Sequence, residues 1–497
     1  MILDMPFTSL PFFLFLAVVL LFYLILPRKA RCLWLLAASY FFCGCYAIDA
    51  LLFLVASTAV SWGIGRHMPR AAPNRRKLWL AAGIILSLGS LLFFKYTGFL
   101  LRSLSFVWPR SAALLSDGIF SSLIVPVGLS FYTFQILGYL VDIYRGKAAP
   151  ENNFLRYALF VAFFPKLVQG PIERSDHLLV QLRTLESLPR FDFEQFATGL
   201  TGILWGLFQK MVLADRLSVF VNTIFDNPAG YGSVQLIAAS LGYTFQLYLD
   251  FSGYTFMALG IAQLFGLQLL ENFNAPYLAT STADFWRRWH ITLSSWFRDY
   301  VYIPLGGNRV SKVRHLFNIF LTMLVSGLWH GASWNFVAWG ALHGLYQVAG
   351  VLTRPLRRAF CRKCGVRTQV FSYRLGQRLC TFCFISFAWI FFRANGLQSA
   401  FVILSRMVTR WNPWVLFDGT FSTGWSGVES AVFWLGLTLV FCSDILREKR
   451  QLSFPVWLRQ QNLVFRWGVC FTLVLAVAIF GMYGIAFDSS QFLYFNF

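Results

Sequence analysis

Apolar runs close to the roughly 20 residues that cross a bilayer as a helix recur along almost the whole chain. They fall at 10–26, 32–47, 49–65, 78–94, about 121–141, 195–225, a pair within 233–266, 316–330, 334–351, 376–392, 431–445 and 465–485. Between them stand short polar breaks of two kinds. Arg28–Arg31, Arg66–Lys77, Arg354–Arg367 and Arg447–Arg450 are basic, whereas Asp49 marks an acidic turn and Trp411, Pro413 and Trp414 sit in an aromatic segment within 393–428. Basic loops stay on the cytoplasmic side, so the pattern predicts alternating crossings with both termini outside. Met1–Leu26 has Asp4 and no basic leader, and reads as a first anchor rather than a cleaved signal. Residues 95–120 read as an interfacial loop.

The expectation is an all-α polytopic membrane protein of about eleven to thirteen transmembrane, re-entrant and interfacial helices. It reads as one integral-membrane domain over 1–497, with N-terminal helices to 150, a core at 151–353 and C-terminal helices at 354–497. Composition agrees: of 497 residues 57% are hydrophobic and 13% charged, and the mean hydropathy is +0.60. The net charge of +21 lies in short loops between apolar runs, which fits membrane topology and membrane lipid as the partner and excludes nucleic acid. Cys361, Cys364, Cys380 and Cys383 have the spacing of a four-cysteine zinc template, but the second pair enters an apolar run, so no metal is expected.

Two interruptions break this pattern. Phe154–Pro171 is apolar yet carries Pro165, Gly170 and Pro171, which stop a regular helix. Broken backbone at membrane depth lines a wet cavity or is buried in protein, making Lys166, Gln169 and Glu173 candidates for a substrate path; a plain loop at a helix end is the alternative. Asp250 and Ser252 are polar within an apolar run, and Gly253 allows a kink there, so Asp250 either orients an imidazole or satisfies backbone at the bend.

Chemistry concentrates in 281–346, which holds four of the six histidines. Phe285, Trp286, Trp289, Leu293, Trp296, Phe297 and Tyr300 share one helical face, with Arg287, Arg288, Arg298 and Asp299 on the other. Ser281 followed by Asp284 predicts a capped start, and Pro304 with Gly306 and Gly307 a stop. This predicts one helix lying along a membrane surface, with His290 at the edge of its apolar stripe. His330 comes at the end of a run that is apolar on all sides, where an ionisable group faces a partner, a cavity or water. His343, in the next run, reads more simply as a hydrogen-bonded core histidine.

Phe285-Trp-Arg-Arg-Trp-His-Ile-Thr-Leu-Ser-Ser-Trp296, Tyr302-Ile-Pro-Leu-Gly-Gly-Asn308 and Gly327-Leu-Trp-His-Gly-Ala332 resemble the membrane-bound O-acyltransferase family, in its bacterial alginate O-acetylation branch. Pro126–Phe134, Phe164–Pro171 and Gln246–Tyr254 are similar too. The resemblance implies helices around a central funnel, an essential histidine at His330 and a second candidate at His290. It adds Trp329 and Asn308 to the candidate substrate path of Lys166, Gln169, Asp250 and Ser252. It further implies an acetyl relay from a cytoplasmic donor, acetyl-CoA, to a separate periplasmic acetyltransferase working with polysaccharide export machinery. No bound cofactor is implied.

Residue chemistry is compatible with this. An imidazole is a general base near neutral pH, the helix end at Gly331 and Ser333 leaves backbone groups able to polarise a thioester carbonyl, and an acyl-histidine is the other route. Arg287, Arg288 and Arg298 are candidates for attracting the donor's phosphates, or simply mark topology. The competing readings are transfer of D-alanine or another acyl group to a cell-wall polymer, a proton-coupled glycan transporter, and a silent scaffold.

Overall fold

The computed structural model describes residues 5–105, 107–108 and 125–483; among them every regular element is a helix. Six are long and apolar enough to cross a membrane: Ile48–Arg70, Pro73–Leu104, Phe193–Phe225, Phe371–Arg393, Gly427–Arg450 and Leu463–Phe480. Leu10–Ile25 and Leu397–Thr409 are shorter apolar helices. The all-α, multi-pass reading therefore stands. Residues 121–124 of one expected span and 484–485 of another, with 106 and 109–120 of the expected interfacial loop, lie outside the described residues; the former span is described as helix Leu129–Tyr144.

Residues 95–104 are not a loop. Helix Pro73–Leu104 runs through Lys95-Tyr-Thr-Gly98, because the apolar residues on either side continue and nothing but the single Gly98 weakens the backbone.

The chain packs as two compact units. The first comprises Met1–Ile203 and Thr255–Leu270. Its helices Arg31–Tyr46 and Ile48–His67 pack on the broken segment. That segment forms helix Phe154–Ala162, capped by the Asn153 side chain, and a single turn Phe164–Leu167 that starts around Pro165. Residues 157–173 are all buried, which rules out a surface loop. The Phe164 N–H, left without a helical partner at the break, donates to the Ser39 hydroxyl at 3.1 Å. Arg31 is also fully buried, its guanidinium donating to the Leu188 and Pro189 carbonyls and stacking over Tyr23.

The second unit comprises Leu204–Tyr254 and, among the described residues, 271–483. The expected pair of spans in 233–266 is instead one unbroken helix, Ser233–Leu264. Gly253 serves close packing rather than a kink: a Cβ there would sit 2.8 Å from the Gly206 carbonyl oxygen. Lipid supplies no hydrophobic drive between helices, so backbone approach of this kind is a main source of association. The facing run, Phe193–Phe225, passes through a π-helical turn at Phe208–Ala214, where one extra residue is accommodated beside that contact.

Candidate active site

The local sequence around His290 does not form the single helix its apolar spacing suggests. Ser281 accepts from the Asp284 N–H and starts a helix at Thr282, while the Asp284 carboxylate reaches back to the Thr280 N–H rather than to that of Ser281. Burial raises the Asp284 pKa, but the Thr280 N–H and the guanidinium groups of Arg288 and Arg287 outweigh it and hold the carboxyl below its usual range. The helix ends at Arg288; Trp289 is extended, and His290 takes a left-handed conformation at φ 43° and ψ 54° before a new helix, Ile291–Phe297. Two backbone hydrogen bonds from a distant stretch hold the break open: Asn274 N–H to Arg288 O and Ile291 N–H to Asn272 O, both 2.9 Å.

The apolar stripe faces protein, not a membrane surface. Phe285, Trp289, Trp296 and Phe297 are buried, and Phe285 and Trp289 pack on Tyr277 and Trp389.

His290 is completely buried. Its Nδ1 lies 3.3 Å from Asn272 Oδ1, which also accepts from the Thr292 hydroxyl at 2.6 Å. An oxygen already taken as an acceptor fixes the Nδ1–H tautomer and leaves Nε2 as the basic nitrogen. That Nε2 is buried with no hydrogen-bond partner among the described residues. Burial without a carboxylate beside it lowers the His290 pKa to about 3, so the ring is neutral at physiological pH.

His330 is the last residue of helix Lys312–His330 and is buried. Its ring centroid is 6.5 Å from that of His290. Trp329 touches both, at 6.2 Å and 5.0 Å, and Trp339 and Phe392 meet His330 edge-on at 5.1 Å and 5.3 Å. Phe251 stands perpendicular to His290 at 4.8 Å. Two imidazoles thus share one aromatic box. Gly331 closes it, because the Phe336 ring stands 2.2 Å from where a Cβ would project. His343, one further ring away against Trp339, accepts the Trp286 indole N–H at 3.2 Å and is a structural core histidine.

Of the other sequence candidates, only Trp329 joins this box. Asp250, on the same helix as Phe251, neither orients an imidazole nor caps a bend; its carboxylate pairs with Lys210 Nζ at 2.6 Å, and Asp215 does the same. Ser252 donates to Gln209. Asn308 is exposed on a turn, and it is Asn318 that holds the turn, through the Leu305 and Gly307 carbonyls. Lys166 and Gln169 are buried in the first unit, with Lys166 Nζ donating to Gln135 Oε1 at 2.6 Å and Val161 O at 3.1 Å. Arg287 and Arg298 are exposed and Arg288 is half-buried; each already pairs with a carboxylate, Asp284, Asp299 and Asp284 respectively. Cys361 and Cys364 lie at the end of helix Trp334–Lys363, Cys380 and Cys383 inside helix Phe371–Arg393, and no metal-binding cluster of three ligands occurs among the described residues.

Sequence reasoning missed Asn272, Phe251 and Phe392. The only trace of Asn272 is a polar residue in Glu271-Asn-Phe-Asn-Ala-Pro276, between two apolar runs, and nothing local connects it to a histidine 18 positions on.

A profile described as MBOAT, the membrane-bound O-acyltransferase family, matches residues 148–397, which include both histidines. The chain is 37% identical over 434 residues to the peptidoglycan O-acetyltransferase of Helicobacter pylori, covering 81% of this chain and 79% of that protein. It is 36% identical over 416 residues to the probable alginate O-acetylase AlgI of Pseudomonas aeruginosa, covering 83% and 74%. A more distant relative is the teichoic acid D-alanyltransferase of Streptococcus thermophilus, 30% identical over 239 residues, 45% of this chain and 56% of that protein. With spanning helices, a buried pair of imidazoles and matches of this extent, the chain belongs to the membrane-bound O-acyltransferase family, in its alginate O-acetylase-like branch, and is a multi-pass membrane O-acyltransferase.

Proposed function

We propose that the protein moves an acetyl group from a cytoplasmic thioester, acetyl-CoA, across the inner membrane for O-acetylation of an exported polysaccharide, with a periplasmic acetyltransferase as the downstream partner. The observation that carries the reading is the shared aromatic box of His330 and His290, together with relatives named for O-acetylation of peptidoglycan and alginate. His330 acts as general base: its ring takes the proton of the accepting hydroxyl as the oxygen attacks the thioester carbonyl. The tetrahedral oxyanion collapses, the carbon–sulfur bond breaks, and the proton passes to the departing thiolate. His290, neutral and tied to Asn272, positions the acceptor through its free Nε2. A base of this kind contributes about 10² to 10⁴-fold to the rate.

The test is the acetyl ester content of the cell's exported polysaccharide in wild type, His330→Ala and His290→Ala, with membrane levels of each variant matched. Loss of ester in a normally inserted His330→Ala variant while polymer export continues supports acyl transfer and removes the transporter reading. Unchanged ester removes His330 from the mechanism. The D-alanine reading is favoured by the teichoic acid relatives, at lower identity and coverage. It is separated by supplying membranes with labelled acetyl-CoA or a D-alanyl-loaded carrier protein and following the label.

A further inference from the structure

Between Asp299 and Asp418 the chain has no acidic residue, yet 14 lysines and arginines stand in that interval. Some of these are engaged; Arg378 and Arg393, for example, pair with Glu448 and Asp226. The far end of helix Trp334–Lys363 is different. The helix is packed through Gly344, but from Leu352 to Phe360 every residue is exposed. On this projecting part Arg354, Arg358 and Arg362 recur every four residues and so form one stripe. With Val351 and Pro355 they line an open groove of about 580 Å³. None of the three has a carboxylate within 4.0 Å among the described residues.

On the opposite side of the same turns stand Leu352, Leu356 and Phe360, at 42%, 70% and 64% exposure. A basic stripe opposite an apolar stripe on one projecting helix is the pattern of a segment lying in the plane of a membrane, with its apolar side in the acyl boundary and its cations at phosphate level. With no ion pair to any of the three among the described residues, these guanidinium groups stand open to a counter-ion from outside the chain.

We propose that Arg354, Arg358 and Arg362 form a binding site for the phosphate of an anionic phospholipid, with Leu352, Leu356 and Phe360 seated among its acyl chains. Guanidinium forks match phosphate oxygens in pairs, so three at one-turn spacing hold one or two headgroups against the helix. The site does not depend on the acyl-transfer reading.

The experiment uses the full chain purified in a neutral detergent and titrated with phosphatidylglycerol or phosphatidylcholine, with bound lipid counted by native mass spectrometry. Phosphatidylglycerol is expected to bind in preference, and more weakly as salt rises. Each arginine near a membrane surface is worth about a fivefold factor, so Arg358→Gln should weaken binding about fivefold and the triple Arg354→Gln/Arg358→Gln/Arg362→Gln about a hundredfold. A control of equal charge, Arg309→Gln/Lys312→Gln/Arg314→Gln, should bind as wild type. Equal binding of the two lipids, an unchanged triple variant, or an equal loss in the control each overturns the site. So does displacement of phosphatidylglycerol by coenzyme A at micromolar concentration, which would make the stripe a donor site instead.

Discussion

Lys166 in the first unit and Lys210 in the second are both buried lysines within apolar sequence, and their surroundings differ in kind. Lys210 Nζ bridges two carboxylates, Asp215 and Asp250, at 2.6 Å each. Among the described residues Lys166 Nζ donates to neutral oxygens, those of Gln135 and Val161, and faces Phe160 at 5.5 Å. The acid of that neighbourhood, Glu173, is engaged elsewhere, accepting from the Leu270 N–H at 2.6 Å and pairing with His177 at 2.8 Å. A buried cation can thus be a post between two carboxylates or a group hydrogen-bonded to neutral oxygens, and the partners decide which.

The largest effect should come from breaking the post. Lys210→Met leaves two carboxylates facing each other in the interior and should cost about 3 to 5 kcal/mol, seen as a fall in the thermal midpoint of detergent-purified protein or as failure to accumulate. Adding Asp250→Asn should recover part of that loss; a double variant no better than the single would show that charge is not the cause. Next, Gly253→Ala pushes a methyl against the Gly206 carbonyl at the interface Lys210 bridges, and should cost about 1 to 3 kcal/mol by the same measurement. Lys166→Met strands two neutral acceptors while relieving a desolvated charge, so its net cost should be near 1 kcal/mol. A loss as large as that of Lys210→Met would erase the contrast.

The smallest effect is one of pH. The hydrogen bond to Glu173 raises the His177 pKa above 6.5. The pair's contribution is therefore complete below pH 6.5 and is lost as pH rises through the raised folded value. His177→Gln should flatten the thermal midpoint over that window, and a wild-type curve already flat there would mean the pair adds nothing.

Much of this was legible from the chain alone. Apolar runs located the helices, Ser281 announced its cap, and the placement of His330 at the end of an apolar run followed from the sequence around Gly331. What stayed hidden was set by distant partners. The spacing of Phe285 to Tyr300 is satisfied by one helix, and the break at His290 comes from backbone bonds offered by Asn272 and Asn274. Asp250 looked like a bend residue because its lysine lies 40 positions earlier, and a glycine required for close approach is indistinguishable in sequence from one that permits a kink.

The left-handed backbone at His290 also bears on how that position can be varied. Left-handed geometry costs a residue with a Cβ roughly 1 to 2 kcal/mol, least for asparagine and nothing for glycine. Alanine at 290 therefore removes the imidazole and keeps the conformational burden, whereas glycine removes both. A ladder of Gly, Asn and Ala at this one site separates what the ring contributes from what the chain turn contributes. Natural or laboratory drift that discarded the ring would be expected to settle on glycine or asparagine rather than on any β-branched residue.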